Sequence, residues 1–176
     1  YDALQANGGV YHITGDSGDF DFKPERVLKS VEEMPVKPDF ILIALKVVPG
    51  ASPVDICRPA VGPNTAFFVI QNGLGAEAAL AEAFPNNDVI GAIAYIGASR
   101  PKPGYVKQQD ACRLTFGLHP NGSSAKVELL FSLFKKSGLS VETTEDIVQA
   151  RWKKLLWNAP YNPISVLGIM LARNRL

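Results

Sequence analysis

The 176-residue sequence predicts an α/β fold in which a mostly parallel sheet carries helices on both faces. Continuous apolar runs of strand length occur at 39–45, 66–70 and 89–96. Such runs are typical of strands that are buried on both faces of a parallel sheet. Helix-like segments at 52–61 and 76–84 separate the three runs. Because strands and helices alternate, the sequence predicts βαβ units and a doubly wound sheet.

The residues that precede this alternating region predict a short helix and a hairpin. A helix over 1–7 is expected to end at the turn Asn7-Gly8-Gly9. The segments 10–14 and 19–22 both alternate apolar and polar residues, and a GDSG turn at 15–18 separates them. Two alternating runs around a glycine-containing turn are typical of a β-hairpin.

The residues that follow predict strands at 104–107, 112–117 and 139–144, and an amphipathic helix over 124–138 that stops at Gly138. A loop is expected at 119–124, between the second of these strands and the helix. A last helix is expected to begin near Glu145, with Thr143 or Thr144 as its N-cap. This helix contains Pro160 and Pro163, which predict a kink or a break because each lacks a backbone N–H donor.

Composition and charge exclude several classes of protein. The formal net charge is +1, so the sequence shows no electrostatic footprint for nucleic acid or an anionic membrane. No apolar run is long enough to span a bilayer, and no basic-then-apolar leader is present. Cys57 and Cys112 lack CxxC spacing, which argues against a metal site or a disulfide framework. We expect a cytoplasmic protein, although the cysteines alone do not fix the compartment.

Two polar groups follow predicted strands at the sheet edge where ligands gather in open α/β folds. Asn72 and Gly73 lie in the segment IQNGLG after the second apolar run, before a predicted helix. Glycine lets a ligand approach the backbone, although the same segment also suits an ordinary strand-to-helix turn. Lys46 follows the first apolar run, where it can bind an anion or simply extend its ammonium group into solvent.

A third group of polar side chains lies on the last helix. Lys154, Asn158 and Asn162 recur every four residues, so they form one stripe along the helix. The stripe can face a cleft, where a partly desolvated lysine acts as a proton donor, or it can be a solvated face. Periodicity alone leaves both interpretations open. Trp152 and Trp157 are expected to be packing residues.

Four segments together resemble the ketopantoate reductase (2-dehydropantoate 2-reductase) family: DFILIALK, IQNGLG, VIGAIAYIGASRPKPG and RWKKLLWNAPYNPISVL. The resemblance implies an incomplete Rossmann-type NADP-binding domain over 1–144. Residues 145–176 would then be the first helix or helices of an all-helical substrate and dimerisation domain. It also implies NADPH-dependent reduction of a 2-oxo acid. The expected reaction converts ketopantoate to pantoate in pantothenate and coenzyme A biosynthesis, in an enzyme that can form a homodimer.

The same resemblance implies roles for five side chains and one glycine. Lys154 is similar to the catalytic lysine of the family, and Asn158 and Asn162 are similar to asparagines that bind substrate. Asn72 and Lys46 would contact both substrate and cofactor, and Gly73 would contact the cofactor. No metal is implied.

The sequence departs from the family pattern in one respect that concerns the cofactor. The family has an N-terminal strand and a G-x-G-x-x-G turn that holds the pyrophosphate, and this motif is absent from the 176 residues. We therefore expect a fragment that binds NADPH weakly and is itself poorly active. Two alternatives stay open: a related dehydrogenase of another 2-oxo or 2-hydroxy acid, and a non-catalytic binding protein with the same fold.

Overall fold

The computed structural model describes residues 1–15, 18–109 and 112–173, and the side chains of these residues up to Gly168. The helices are α1 Asp2–Gln5, α2 Pro53–Cys57, α3 Ala76–Ala83, α4 Ala125–Lys136 and α5 Ile147–Arg173. The strands are β1 Tyr11–Thr14, β2 Phe20–Phe22, β3 Phe40–Ile43, β4 Ala66–Val69, β5 Val89–Tyr95, β6 Ala98–Lys102, β7 Tyr105–Gln108, β8 Arg113–Leu118 and β9 Ser140–Thr143. No helix within the described ranges has the length and apolarity needed to cross a membrane.

The main sheet has five strands in the order β3-β4-β5-β8-β9. The pairs β3–β4, β4–β5 and β8–β9 are parallel, and β5–β8 is antiparallel. The predicted α/β fold with a mostly parallel sheet is therefore confirmed. The reversal of direction lies between β5 and β8, where the intervening chain forms β6 and β7 of a second sheet.

Strand β4 is the most deeply buried strand of the main sheet, as its uninterrupted apolar sequence predicts. All four of its residues are almost completely inaccessible to solvent. Because side chains alternate along a strand, Phe67 and Val69 pack on one face with Leu80 of α3 and Cys57 of α2. Phe68 packs on the other face, in a cluster formed by residues of β8 and α4: Leu114, Phe116, Val127, Leu130 and Phe134. Helices thus cover both faces of this strand.

Strand β3 differs from its prediction. It ends at Ile43 rather than at residue 45, and it lies at the edge of the sheet. Leu42 is 59% exposed, so the expected burial on both faces is wrong here. An apolar run does not reveal the order of the strands, and order decides whether a strand has a neighbour on each side.

The second sheet has four strands in the order β2-β1-β7-β6. Its antiparallel β1–β2 pair confirms the predicted hairpin, although residues 16 and 17 of the expected turn lie outside the described residues. Strand β6 was not predicted. Its sequence ASRPK is exposed throughout and lacks apolar alternation, so its conformation depends on pairing with β7.

Helix α5 begins two residues later than expected. The side chain of Asp146 accepts a hydrogen bond from the Gln149 amide at 2.8 Å, so Asp146 is the cap in place of Thr143 or Thr144. The helix also continues through Pro160 and Pro163, so the predicted break is wrong. The carbonyl groups that lose a partner belong to residues four positions earlier, and these residues are exposed, so water can satisfy them.

Candidate active site

An open cleft of about 880 Å³ lies at the carboxyl ends of β3, β4 and β5, beside α5. Its floor consists of 44–47 and 70–72, which follow β3 and β4, and of 94–97, which include the end of β5. In open α/β sheets, the carboxyl ends of parallel strands are where ligands bind, because successive loops diverge there and leave a crevice. The cleft is therefore the candidate active site.

Five of the predicted side chains line this cleft. Lys154, Asn158 and Asn162 come from α5, Asn72 follows β4, and Lys46 follows β3. The polar stripe on α5 therefore faces the cleft, although Asn162 is also exposed to solvent. Gly73 lies next to Asn72 with φ +96°, in the left-handed region that glycine adopts without strain. The structure thus brings the predicted residues together, while their roles stay predictions.

Two hydrogen bonds hold the Lys154 ammonium in the cleft. Its Nζ donates to Asn72 Oδ1 at 2.9 Å and to the Ala94 carbonyl at 2.8 Å, and it lies 5.3 Å from the centroid of the Tyr95 ring. An ammonium group has three donors, so these two acceptors leave one donor for a further partner. Burial lowers the pKa of Lys154, and the neighbouring Arg151 cation lowers it further.

A buried ion pair lies directly behind Lys154. Arg151 is only 8% exposed and pairs through Nε with Glu77 Oε1 of α3, which is also buried. Its other nitrogens donate to the carbonyls of Gln71 at 2.7 Å, Val69 at 2.9 Å and Gly73 at 3.5 Å. Burial lowers the pKa of Arg151, and the Glu77 carboxylate opposes that shift.

Gly91 leaves the space that this ion pair occupies. A β-carbon at this position of β5 would lie 2.8 Å from Glu77 Oε1 and 2.8 Å from Ile147 Cγ1. Any larger residue would therefore require the Glu77 or Ile147 side chain, or the helix that carries it, to shift. The absence of a side chain at Gly91 is what lets the first turn of α5 approach β5 closely enough for Lys154 to reach the Ala94 carbonyl.

Gln71 connects the turn after β4 to the segment after β3. It is buried, and its Nε2 donates to the Leu45 carbonyl at 2.9 Å. Lys46 follows Leu45, so this hydrogen bond places Lys46 at the rim of the cleft even though β3 has already ended at Ile43. The backbone position of Lys46 thus depends on this contact of the neighbouring Leu45 rather than on the strand itself.

An apolar wall completes the cleft, formed by Tyr95, Ile96 and Trp157. Trp157 stacks on Tyr161 with ring centroids 4.2 Å apart and is 62% exposed. Trp152 is likewise exposed. Neither tryptophan is packed in the core of the part of the chain that the structure describes.

Sequence reasoning did not identify Arg151 or Glu77. A signal for Arg151 was present, because it precedes Lys154 by three residues and so shares its helix face. Glu77 lies in an alanine-rich helix whose two carboxylates, Glu77 and Glu82, both look like surface residues. Its burial follows from the packing of α3 on β5, which the sequence does not display.

Comparisons with known proteins show which proteins this chain is similar to. The sequence profile of the family described as ketopantoate reductase PanE/ApbA matches residues 1–121. A 2-dehydropantoate 2-reductase from a Nostoc species is 31% identical over 160 residues, which cover 88% of this chain and 50% of that protein. The chain spans about half the length of the curated relatives that it matches.

Solved structures show the same relationship. The crystal structure of 2-dehydropantoate 2-reductase from Methylococcus capsulatus matches with a TM-score of 0.85 and 41% identity, over 96% of this chain and 54% of that one. The corresponding enzyme from Geobacter metallireducens matches with a TM-score of 0.79 and 32% identity, over 88% of this chain and 51% of that one.

Proposed function

Because the chain belongs to the ketopantoate reductase family, we propose that it forms the cofactor-facing part of the active site of a pyridine-nucleotide-dependent 2-oxo acid reductase. The proposed reaction is reduction of ketopantoate to pantoate, which supplies pantothenate and coenzyme A synthesis. The observation that carries this proposal is the position of the Lys154 ammonium, held in the cleft by Asn72 Oδ1 and the Ala94 carbonyl.

Lys154 is proposed as the proton donor. When bound, a reduced pyridine nucleotide supplies a hydride to the carbonyl carbon of the substrate, and negative charge develops on the carbonyl oxygen. The remaining N–H donor of Lys154 can stabilise that charge and then transfer its proton to the oxygen. The lowered pKa of Lys154 assists this transfer, since the ammonium gives up its proton more readily than an exposed lysine.

The other polar groups of the cleft are proposed to hold the substrate. Asn158 and Asn162 line the same wall as Lys154 and offer carboxamide donors and acceptors. The Lys46 ammonium at the opposite rim suits the carboxylate that every 2-oxo acid carries. A substrate held between α5 and Lys46 would present its carbonyl oxygen to Lys154.

NADPH is the proposed cofactor, with Asn72, Gly73 and Lys46 as its contacts. The residues fit such a group, because a β-carbon at Gly73 would meet no atom within 4 Å, so the turn is open to a ligand. Asn72 uses its oxygen to hold Lys154, and its amide nitrogen keeps two donors for a ribose or nicotinamide acceptor. Weak NADPH binding by the 176-residue chain stays a prediction, and a tight dissociation constant measured on it would contradict that.

We also propose that residues 145–176 begin a helical substrate domain, although residues 174–176 lie outside the described residues. In support, α5 carries a series of large exposed apolar side chains suited to packing: Leu156, Trp157, Tyr161, Ile164, Val166 and Leu167. Homodimer formation and a cytoplasmic location stay predictions.

Steady-state reduction assays on the protein that contains this chain test the proposed function. Ketopantoate and a panel of other 2-oxo acids would be supplied with NADPH and, separately, NADH. Lys154→Ala is expected to lower kcat/KM by about 10²–10⁴-fold, whereas Lys153→Ala, which changes an exposed neighbour on the same helix, should leave the rate nearly unchanged. Equal rates for the two variants would refute the role of Lys154, and preference for another 2-oxo acid would reassign the substrate.

A further inference from the structure

The proposed chemistry does not use the buried ion pair behind Lys154. Arg151 and Glu77 are two of the few polar or charged side chains that are buried among the described residues, and Gln71, beside them, is another. Burying two charges is expensive unless both are paired and hydrogen-bonded, and a pair of apolar residues can often replace such a pair without loss of stability. The contacts of Arg151 indicate that it has a role other than stabilising the fold.

We propose that Arg151 is a positioning residue that clamps the turn after β4 to helix α5 and so keeps Asn72 in contact with Lys154, with Glu77 as its counter-ion. The inference rests on the proposed function only for the role of Lys154 as proton donor. The clamp itself is a statement about contacts within this chain, and it is tested without substrate or cofactor.

The hydrogen bonds of Arg151 converge on the backbone around Asn72. The guanidinium donates to the carbonyl of Gln71, just before Asn72, and to that of Gly73, just after it. A third bond reaches Val69 at the end of β4. Because both flanking carbonyls are bound, the backbone of Asn72 has a fixed distance from α5. Lys154 lies one helical turn further along the same face and meets the Asn72 side chain.

The turn needs such an external hold. Gly73 and Gly75 both have φ near +97° (96° and 97°), and glycine keeps more conformational freedom than any other residue. Gly75 is also the N-cap of α3 and offers no side chain to close the helix end. Within the described residues, the side chains that tie this segment to neighbouring elements are Arg151, Gln71 and the Lys154–Asn72 pair that the clamp is proposed to align.

Glu77 and Gly91 make the clamp feasible. An unpaired guanidinium in this position would be a buried, uncompensated charge, and the Glu77 carboxylate from α3 compensates it. Gly91 of β5 provides the room, because a β-carbon there would collide with Glu77 Oε1. Three elements that are distant in sequence therefore contribute to one contact.

The clamp also sets the electrostatic surroundings of Lys154. Helix α5 contributes the cations of Arg151 and Lys153, and α3 contributes the Glu77 carboxylate behind Arg151. Strand β5 contributes the Tyr95 phenol, over which Arg113 of β8 stacks, and the segment after β3 contributes Lys46. Removing the Arg151 cation should raise the pKa of Lys154, whereas removing only the Glu77 carboxylate should lower it.

Competitive amine labelling across a pH series, read by peptide mass spectrometry, measures the titration midpoint of Lys154, with Lys153 as an internal control. We expect the Lys154 midpoint to shift upward in Arg151→Met and downward in Glu77→Gln, while Lys153 changes little. General loosening of the core would hydrate Lys154 in both variants and shift both midpoints upward. Shifts of the same sign, or no shift in variants with native circular dichroism, would overturn the electrostatic part of the inference.

A double-mutant cycle tests positioning. Asn72→Ala removes an acceptor that stabilises the charged ammonium, so it should lower the Lys154 midpoint in the wild-type background. Arg151→Lys keeps the charge pair with Glu77, and therefore the fold, but an ammonium that pairs with Glu77 has only two donors left for the three carbonyls. In that background Asn72→Ala should have little effect. An undiminished effect would show that Arg151 does not hold Asn72. If all of these shifts are observed but the unaltered protein shows no reductase activity, that result would count against the proposed function alone.

Discussion

Replacing Gly91 by alanine is expected to lower the free energy of unfolding by about 1–2 kcal/mol. A β-carbon would lie 2.8 Å from both Glu77 Oε1 and Ile147 Cγ1, whereas ordinary contact begins at 3.4 Å, so these atoms must move by about 0.6 Å. Overpacking of this kind costs roughly 1–3 kcal/mol. Alanine in a strand recovers roughly 0.5–1 kcal/mol of backbone entropy relative to glycine, which gives the smaller net value.

The structure leaves little room for a cheaper adjustment. Glu77 cannot rotate away without leaving Arg151 buried and unpaired, and Ile147 is fully buried at the start of α5. The overlap is therefore relieved by moving α5 away from β5. That movement lengthens the 2.8 Å hydrogen bond from Lys154 to the Ala94 carbonyl, so a loss of stability and a weaker hold on Lys154 should appear together.

Urea denaturation measures the change, with the slope of the transition as a check on two-state behaviour. Gly168→Ala is a matched control, because it makes the same substitution at an exposed position of α5 where a β-carbon meets no atom within 4 Å. The control should raise the helix propensity and stabilise the protein by up to about 1 kcal/mol. A Gly91→Ala protein at least as stable as wild type would refute the close-packing argument.

Three further changes give separate tests. Gly117→Ala should destabilise more than Gly91→Ala, by about 3 kcal/mol, because its β-carbon would overlap the backbone oxygen of Thr144, and equilibrium unfolding can compare them. Asp146→Ala should cost about 1 kcal/mol by removing the cap from Gln149, whereas Asp146→Asn should be nearly neutral in the same assay. Because the folded pKa of Lys154 lies below its unfolded value, its contribution to stability should rise with pH between the two values. Stability curves that stay parallel for wild type and Lys154→Met over this window would contradict that sign.

The sequence was informative about the fold where burial follows from a continuous pattern. Strand β4 has an unbroken apolar run and is buried on both faces, as expected. Strand β3 has a similar run but lies at the sheet edge, because strand order depends on contacts between distant segments. Strand β6 lacks any apolar alternation, and its pairing with β7 overrides the weak local preference.

The candidate site was also predictable from the sequence only in part. The four-residue spacing of Lys154, Asn158 and Asn162 is visible in the sequence, and the structure places all three along the cleft. The half-burial of Lys154 is not visible, because it depends on how closely α5 approaches β5 at Gly91. Arg151 was missed for the same reason, since its partners are backbone carbonyls that no sequence pattern displays.

Opposing effects on Lys154 explain how one side chain can be both fixed in place and ready to lose a proton. Asn72 Oδ1 and the Ala94 carbonyl favour the charged ammonium and set its direction. Burial and the Arg151 cation disfavour the same charge and lower the pKa. An exposed lysine would have neither the orientation nor the shift. Arg151 adds to the effect of burial on the pKa, and by the proposed clamp it also holds the turn that carries Asn72. Part of each effect therefore depends on one guanidinium, and a substitution there should change both together.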